Sequence, residues 1–197
     1  MVIGISLGWN CDAASWGVRN DIRSSKSNGY LTCPFDIMIS NYNGMIQCLK
    51  DDFKYFLDDK YLRITKSGYL INTHYNFFFL HESFSWMKRG GIKLLSDFKT
   101  EDHFTKNNYE NLKDRYSKRA DNFRNYLHSK DKIIFIINRV NKDISELITY
   151  LDTLNINYEI RLITVRLTEK DRIEEVIEIL KISGLTDEEI NRELDIQ

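Results

Sequence analysis

The sequence predicts a mixed α/β fold: one domain over residues 1–197 built on one mixed sheet, with a parallel strand–helix–strand unit in its C-terminal half and a strand–turn–helix at its start that carries Cys11. Three observations lead there. An apolar run at 132–137 is followed by Ile144, Leu147, Ile148, Leu151 and Leu154 at helical spacing, then by a second apolar segment at 158–165. Strand, helix, strand in that order is the signature of a parallel βαβ unit with a right-handed crossover. At the other end, a short apolar run at 2–7 stops at Gly8 and passes through a polar turn. Finally, 197 residues with 42% hydrophobic content suffice for one substantial core, or at most two small ones.

Taken in order, 2–7 reads as a buried strand, and Asn10 as the N-cap of a short helix bearing Cys11, Ala13, Ala14 and Trp16. Residues 17–30 are polar and read as a surface loop. The single proline, Pro34, fixes the backbone and keeps Cys33 extended. Met45, Ile46, Leu49, Phe53, Phe56 and Leu57 predict a helix over 41–57. Short strands are expected at 62–67 and 69–71, and the aromatic run at 76–80 fits a strand covered on both faces, ending at His81. Tyr109, Leu112, Tyr116, Phe123 and Leu127 mark one face of a long helix. Ile173, Val176, Ile177 and Leu180 mark another, with a capping-box start at 168–171, and 186–189 repeats that start signal.

Composition narrows the function classes. A net charge of −1 argues against a dedicated nucleic-acid binder. The longest clean apolar run, 133–137, is far too short to cross a bilayer, so no membrane role is expected. No secretory signal is visible, and three cysteines at non-ligand spacing fit neither a disulfide scaffold nor a zinc site. A reducing, cytoplasmic setting is expected, the host cytoplasm if the chain is viral. Residues 85–130 carry 11 Lys/Arg against 6 Asp/Glu. That excess reads as a solvated helix face, or more sharply as attraction for an anionic ligand. Phosphate-loop, dinucleotide and Gly-x-Ser-x-Gly motifs are all absent, so no cofactor is expected.

The residues that read as chemistry begin with Cys11. A thiol at a helix start lies in the positive field of the helix dipole, which favours the thiolate. The competing reading is a small, inert buried residue. His81, at the end of the aromatic strand, is the natural general base, although a histidine there is often structural. Asp36, Glu82, Asp97 and Asn138 are candidates to orient the imidazole, with Asp36 preferred because it follows a rigid Pro-Phe pair. Asn138 and Arg139 close the strand at 132–137. The carboxyl ends of parallel strands form a ligand edge, where Arg139 is placed to hold a carboxylate or phosphate beside Gly8 and Asn10, or to pair with a nearby acid. Cys33 and Cys48 read as structural.

Taken together, Ser6-Leu7-Gly8-Trp9-Asn10-Cys11, then Pro34-Phe35-Asp36, then a phenylalanine-rich strand leading to His81, resemble the family described as putative papain-like cysteine peptidases of bacteria and large DNA viruses. Phe135-Ile136-Ile137-Asn138-Arg139 matches that family's late apolar strand ending near an arginine. Ile37 stands where the family has tryptophan. The resemblance implies a cysteine-dependent hydrolase or acyltransferase with Cys11 as nucleophile, His81 as base, Asp36 as orienting group and a peptide or protein substrate. Two other readings stay open on the residues alone. One is a Rossmann-like transferase or binding protein for a nucleotide sugar or other anion, with its ligand near Gly8, Asn10 and Arg139 and Cys11 merely packed. The other is a non-catalytic interaction protein.

Overall fold

The computed structural model describes residues 2–65, 69–82, 105–139 and 142–164, together with 177, 181 and 186–188. Its first sheet is parallel. Strand β1 (Val2–Ser6) pairs with β6 (Lys132–Asn138), and β6 pairs with β7 (Tyr158–Ile163), which places β6 in the middle. The central strand is buried almost throughout, which explains its unbroken run of Ile and Phe. Helix α4 (Ser145–Asp152) makes the crossover from β6 to β7 and buries Leu147 and Leu151. Helix α1 (Cys11–Arg19) packs on β1 and β6 through Ala13 and Gly17. A methyl group on Gly17 would collide with the Ile136 side chain, so the close approach of this helix depends on that glycine.

The second sheet is antiparallel, in the order β2 (Ile39–Ser40), β5 (Phe77–Phe78), β4 (Leu70–Asn72), β3 (Leu62–Ile64). Phe77, Phe78 and Phe79 are all fully buried, as expected for a strand covered on both faces. Phe77 and Phe79 join the main core, while Phe78 faces a smaller cluster with Ile39, Tyr69 and Ile71. The main core runs continuously from Ile5 and Phe135 of the parallel sheet to helix α2 (Tyr42–Lys50) and helix α3 (Lys106–Leu127). Helix α3 contributes Leu112, Tyr116, Ala120 and Phe123, spaced three or four residues apart along one face. Phe35 sits among the rings of Phe53, Phe77 and Phe123. Burying one such ring contributes about 2–3 kcal/mol.

The strands belong to two sheets, not one mixed sheet. The helix expected over 41–57 stops at Lys50, because Asp52 and Phe53 take positive φ; Phe53 and Phe56 still reach the core from the turns beyond. The aromatic strand is only two residues long, and His81 lies in the 3-10 turn Leu80–Glu82 that follows it. The polar stretch after α1 is more than a surface loop, since Arg23 runs inward from it. The helix expected over 173–180 lies outside the described residues apart from Ile177. Its start signal at 168–171, Asp97, and the end of the strand expected over 62–67 also lie outside them.

Candidate functional site

Strand β1 delivers the chain to the carboxyl edge of the parallel sheet. Leu7 N donates to Ile136 O at 2.9 Å, and Asn138 N donates to Gly8 O at 3.0 Å, so Gly8 and Asn138 lie side by side where the two strands end. Gly8 has φ +89°, and a methyl group there would strike Ser40 Oγ. Both facts require glycine. Asn10 then caps α1: its side-chain oxygen accepts from Asp12 N at 3.0 Å, and its amide donates to Asp12 Oδ2 at 2.8 Å. Both ends of the Asn10 amide therefore serve the turn. Cys11 is the first residue of the helix and is half-buried, whereas Cys33 and Cys48 are buried. Burial pushes the Cys33 and Cys48 thiols well above their ordinary range. Of the three thiols, Cys11 is the accessible one.

The second motif forms a 3-10 turn, Pro34–Asp36, against which α1 packs. Ser6 ties the two motifs together: its Oγ accepts from Gly8 N at 3.2 Å and donates to Phe35 O at 3.4 Å. Asp36 is 1% exposed. Its Oδ2 accepts from Cys33 N at 2.7 Å and from Arg23 Nη2 at 3.0 Å. The Arg23 guanidinium also covers the Tyr30 ring at 4.0 Å. Burial pushes the Asp36 carboxyl up to about 6; the Arg23 charge and the Cys33 hydrogen bond pull the other way and lose.

His81 sits beside a second buried acid. Glu82 is 2% exposed and is held by Arg115 and by Arg119, whose Nη1 lies 3.4 Å from Glu82 Oε1. Burial lowers the His81 pKa from its ordinary value; the Glu82 carboxylate opposes that shift and the Arg119 charge adds to it. Arg119 acts on Asp36 as well, favouring its ionised form. Asp36 and His81 therefore share one cationic neighbour. Arg115 and Arg119, four residues apart on α3, also qualify the reading of the basic excess as a solvated face: these two are directed at a buried carboxylate.

The register of β2 relates His81 to Cys11. Ser40 N donates to Trp9 O at 2.8 Å, and Ser40 pairs with Phe77 in the antiparallel sheet. Trp9 and Phe77 are thus both antiparallel partners of Ser40. Trp9 and Leu80 pack against the same small cluster of Ile39, Tyr69, Ile71 and Phe78.

At the far side of the sheet edge, Arg139 N donates to Ile163 O at 3.1 Å, and the Arg139 side chain is carried over the Tyr42 ring at 3.7 Å. Arg139 is 8% exposed and Asn138 2%. Arg23, Arg115 and Arg119 carry no local signal of their roles, because a single sequence does not separate an inward-facing arginine from a solvated one. Among the described residues no group of three or more His, Cys, Asp or Glu side chains is placed to hold a metal ion, and no helix is long and apolar enough to cross a membrane.

No curated protein and no solved structure matches the chain significantly. A family model described as putative papain-like cysteine peptidase matches residues 3–167, a span that includes Cys11, Asp36, His81 and Arg139. With most of its length covered by that model, the chain belongs to this family, whose description is putative papain-like cysteine peptidase.

Proposed function

We propose that the chain is a cysteine-dependent hydrolase or acyltransferase acting on the amide or ester carbonyl of a peptide or protein, with Cys11 as nucleophile and His81 as base. The observation that carries this reading is the shared patch under Trp9 and Leu80, which sets the neighbours of Cys11 and His81 on one face of β2. The accessible thiol at the head of α1 and a histidine whose pKa burial lowers supply the two chemical parts. His81 takes the Cys11 proton as sulfur attacks the carbonyl carbon, and backbone N–H groups of the first turn of α1 face the oxyanion. Collapse breaks the carbonyl bond to the leaving group, which receives the proton from His81 and departs. Water or an acceptor nucleophile then attacks the thioester, again giving its proton to His81, and Cys11 is released. Asp36 enters as a positioning residue. Its carboxylate holds the turn beneath α1, and it acts on His81 through their common neighbour Arg119.

The test is the pH dependence of iodoacetamide alkylation, read by mass spectrometry. Cys11 should react well below the ordinary thiol pKa of about 8.5. His81→Ala should move its profile back toward that value, and a burst of p-nitrophenol from p-nitrophenyl acetate should vanish in Cys11→Ser. A Cys11 profile centred near 8.5 and indifferent to His81→Ala would refute the mechanism. It would favour the second reading, an anion-binding transferase, which draws on the parallel sheet and on Arg139 at its carboxyl edge.

A further inference from the structure

The Arg139 guanidinium is in an unusual position for a charged group. It is more than nine-tenths buried, yet its Nε and Nη1 have no hydrogen-bond partner among the described residues. Ser40, 1% exposed, likewise has an Oγ with no hydrogen-bond partner among the described residues. Both residues line one cleft, with Trp9, Tyr42 and Asn138, at the carboxyl edge of the parallel sheet. The nearby acids are engaged elsewhere: Asp143 accepts from Ser145 N at 3.0 Å and Ser145 Oγ at 2.7 Å, and Glu146 from Lys50 Nζ at 2.7 Å. Asp143 feels the Arg139 charge without a hydrogen bond to Nε or Nη1; buried N–H donors left unpaired are costly, and the Tyr42 ring face returns only part of that cost. The cleft has a cavity volume of about 10 Å³ and opens to solvent. That is room for about one water-sized group, so a single oxygen of a larger molecule enters it. Its wall includes Trp9, two residues before Cys11.

We infer that the cleft formed by Trp9, Ser40, Tyr42 and Arg139 binds an oxyanion, the carboxylate or phosphate group of the molecule whose carbonyl Cys11 attacks. Arg139 supplies the charge and two N–H donors, and Ser40 Oγ supplies a third donor. That the anion belongs to the Cys11 substrate rests on the thiol reading above; the binding of the anion does not.

The first measurement follows the Arg139 Nε–H resonance while sodium acetate or inorganic phosphate is added at constant ionic strength against chloride. A saturable shift is expected. Ser40→Ala, a mild change in a buried site, should weaken the affinity roughly 5-fold, the effect of one lost hydrogen bond. Acetate binding more tightly identifies a carboxylate ligand, and phosphate binding more tightly a phosphorylated one. A resonance that moves with neither anion, or equally with chloride, overturns the site, as does an affinity indifferent to Ser40→Ala. The second measurement compares alkylation of Cys11 by iodoacetate and by iodoacetamide. The rate ratio should fall several-fold in Arg139→Gln if the anion seat serves the thiol. An unreactive Cys11 with intact anion binding refutes the thiol reading alone. A reactive Cys11 whose ratio ignores Arg139→Gln refutes the link between the two sites.

Discussion

Ser40 N donates a hydrogen bond to Trp9 O at 2.8 Å, and through it the antiparallel sheet is fastened to the end of the parallel one. The bond depends on Gly8. Its φ of +89° turns the chain toward β2, and its missing side chain leaves room for Ser40 Oγ. Gly8→Ala should therefore destabilise the protein by roughly 1–3 kcal/mol, from left-handed strain together with a steric clash. It should also slow Cys11 alkylation by shifting the head of α1. Chemical denaturation and alkylation rates measure the two effects. The companion change Gly29→Ala, at a glycine with the same φ but open space around it, isolates the strain from the clash. Equal losses from the two variants would show that Ser40 plays no part.

Much of this arrangement was legible in the residues. The parallel unit announced itself because β6 is buried on both faces and α4 keeps helical spacing. Gly8, Asn10 and Cys11 read correctly as the end of a strand, a cap and a helix start, since each signal is local. The separate antiparallel sheet was harder to see. Its strands are two or three residues long, too short for a period-two pattern, and they are held by long-range pairing between 39–40 and 77–78. The buried ion pairs were illegible for a related reason. Arg23 meets Asp36 across 13 residues and Arg119 meets Glu82 across 37, and nothing in the local sequence marks either arginine as inward-facing.

The raised pKa of Asp36 has a consequence for stability against pH. The folded protein holds the Asp36 proton up to about pH 6, while the unfolded chain releases it near the ordinary carboxyl value of 3.8. The native state thus binds more protons between those values. The stabilisation is fully present below about pH 4 and is lost as pH rises through 6, by about 3 kcal/mol in total. In Asp36→Asn this component is absent. The stability difference between wild type and variant, from urea denaturation, should shrink by that order between pH 4 and pH 7. All other titrations are common to both proteins and cancel. A difference that is constant across the range would mean that Asp36 ionises as readily folded as unfolded.

Arg119 offers the sharpest test of the site as a coupled unit. Its charge depresses the His81 pKa and favours the ionised form of Asp36, so removing it should move both groups in the same direction, upward. For His81 the linkage runs opposite to that of Asp36. A depressed folded pKa means that stability is present above the ordinary histidine value of 6.5 and is lost as pH falls below it, because the unfolded chain takes up a proton the folded one refuses. Arg119→Met should relieve part of that loss while Arg115 still holds Glu82. NMR titration of the His81 ring should give a wild-type midpoint below 6.5 and a higher one in the variant. The Asp36 carboxyl carbon should shift its midpoint upward in the same samples. If His81 moves and Asp36 does not, Arg119 belongs to the Glu82 pair alone, and Asp36 has no electrostatic route to the proposed base. If both move, the acid limb of Cys11 alkylation should move with them, because the base that receives the Cys11 proton would then be charged at a higher pH.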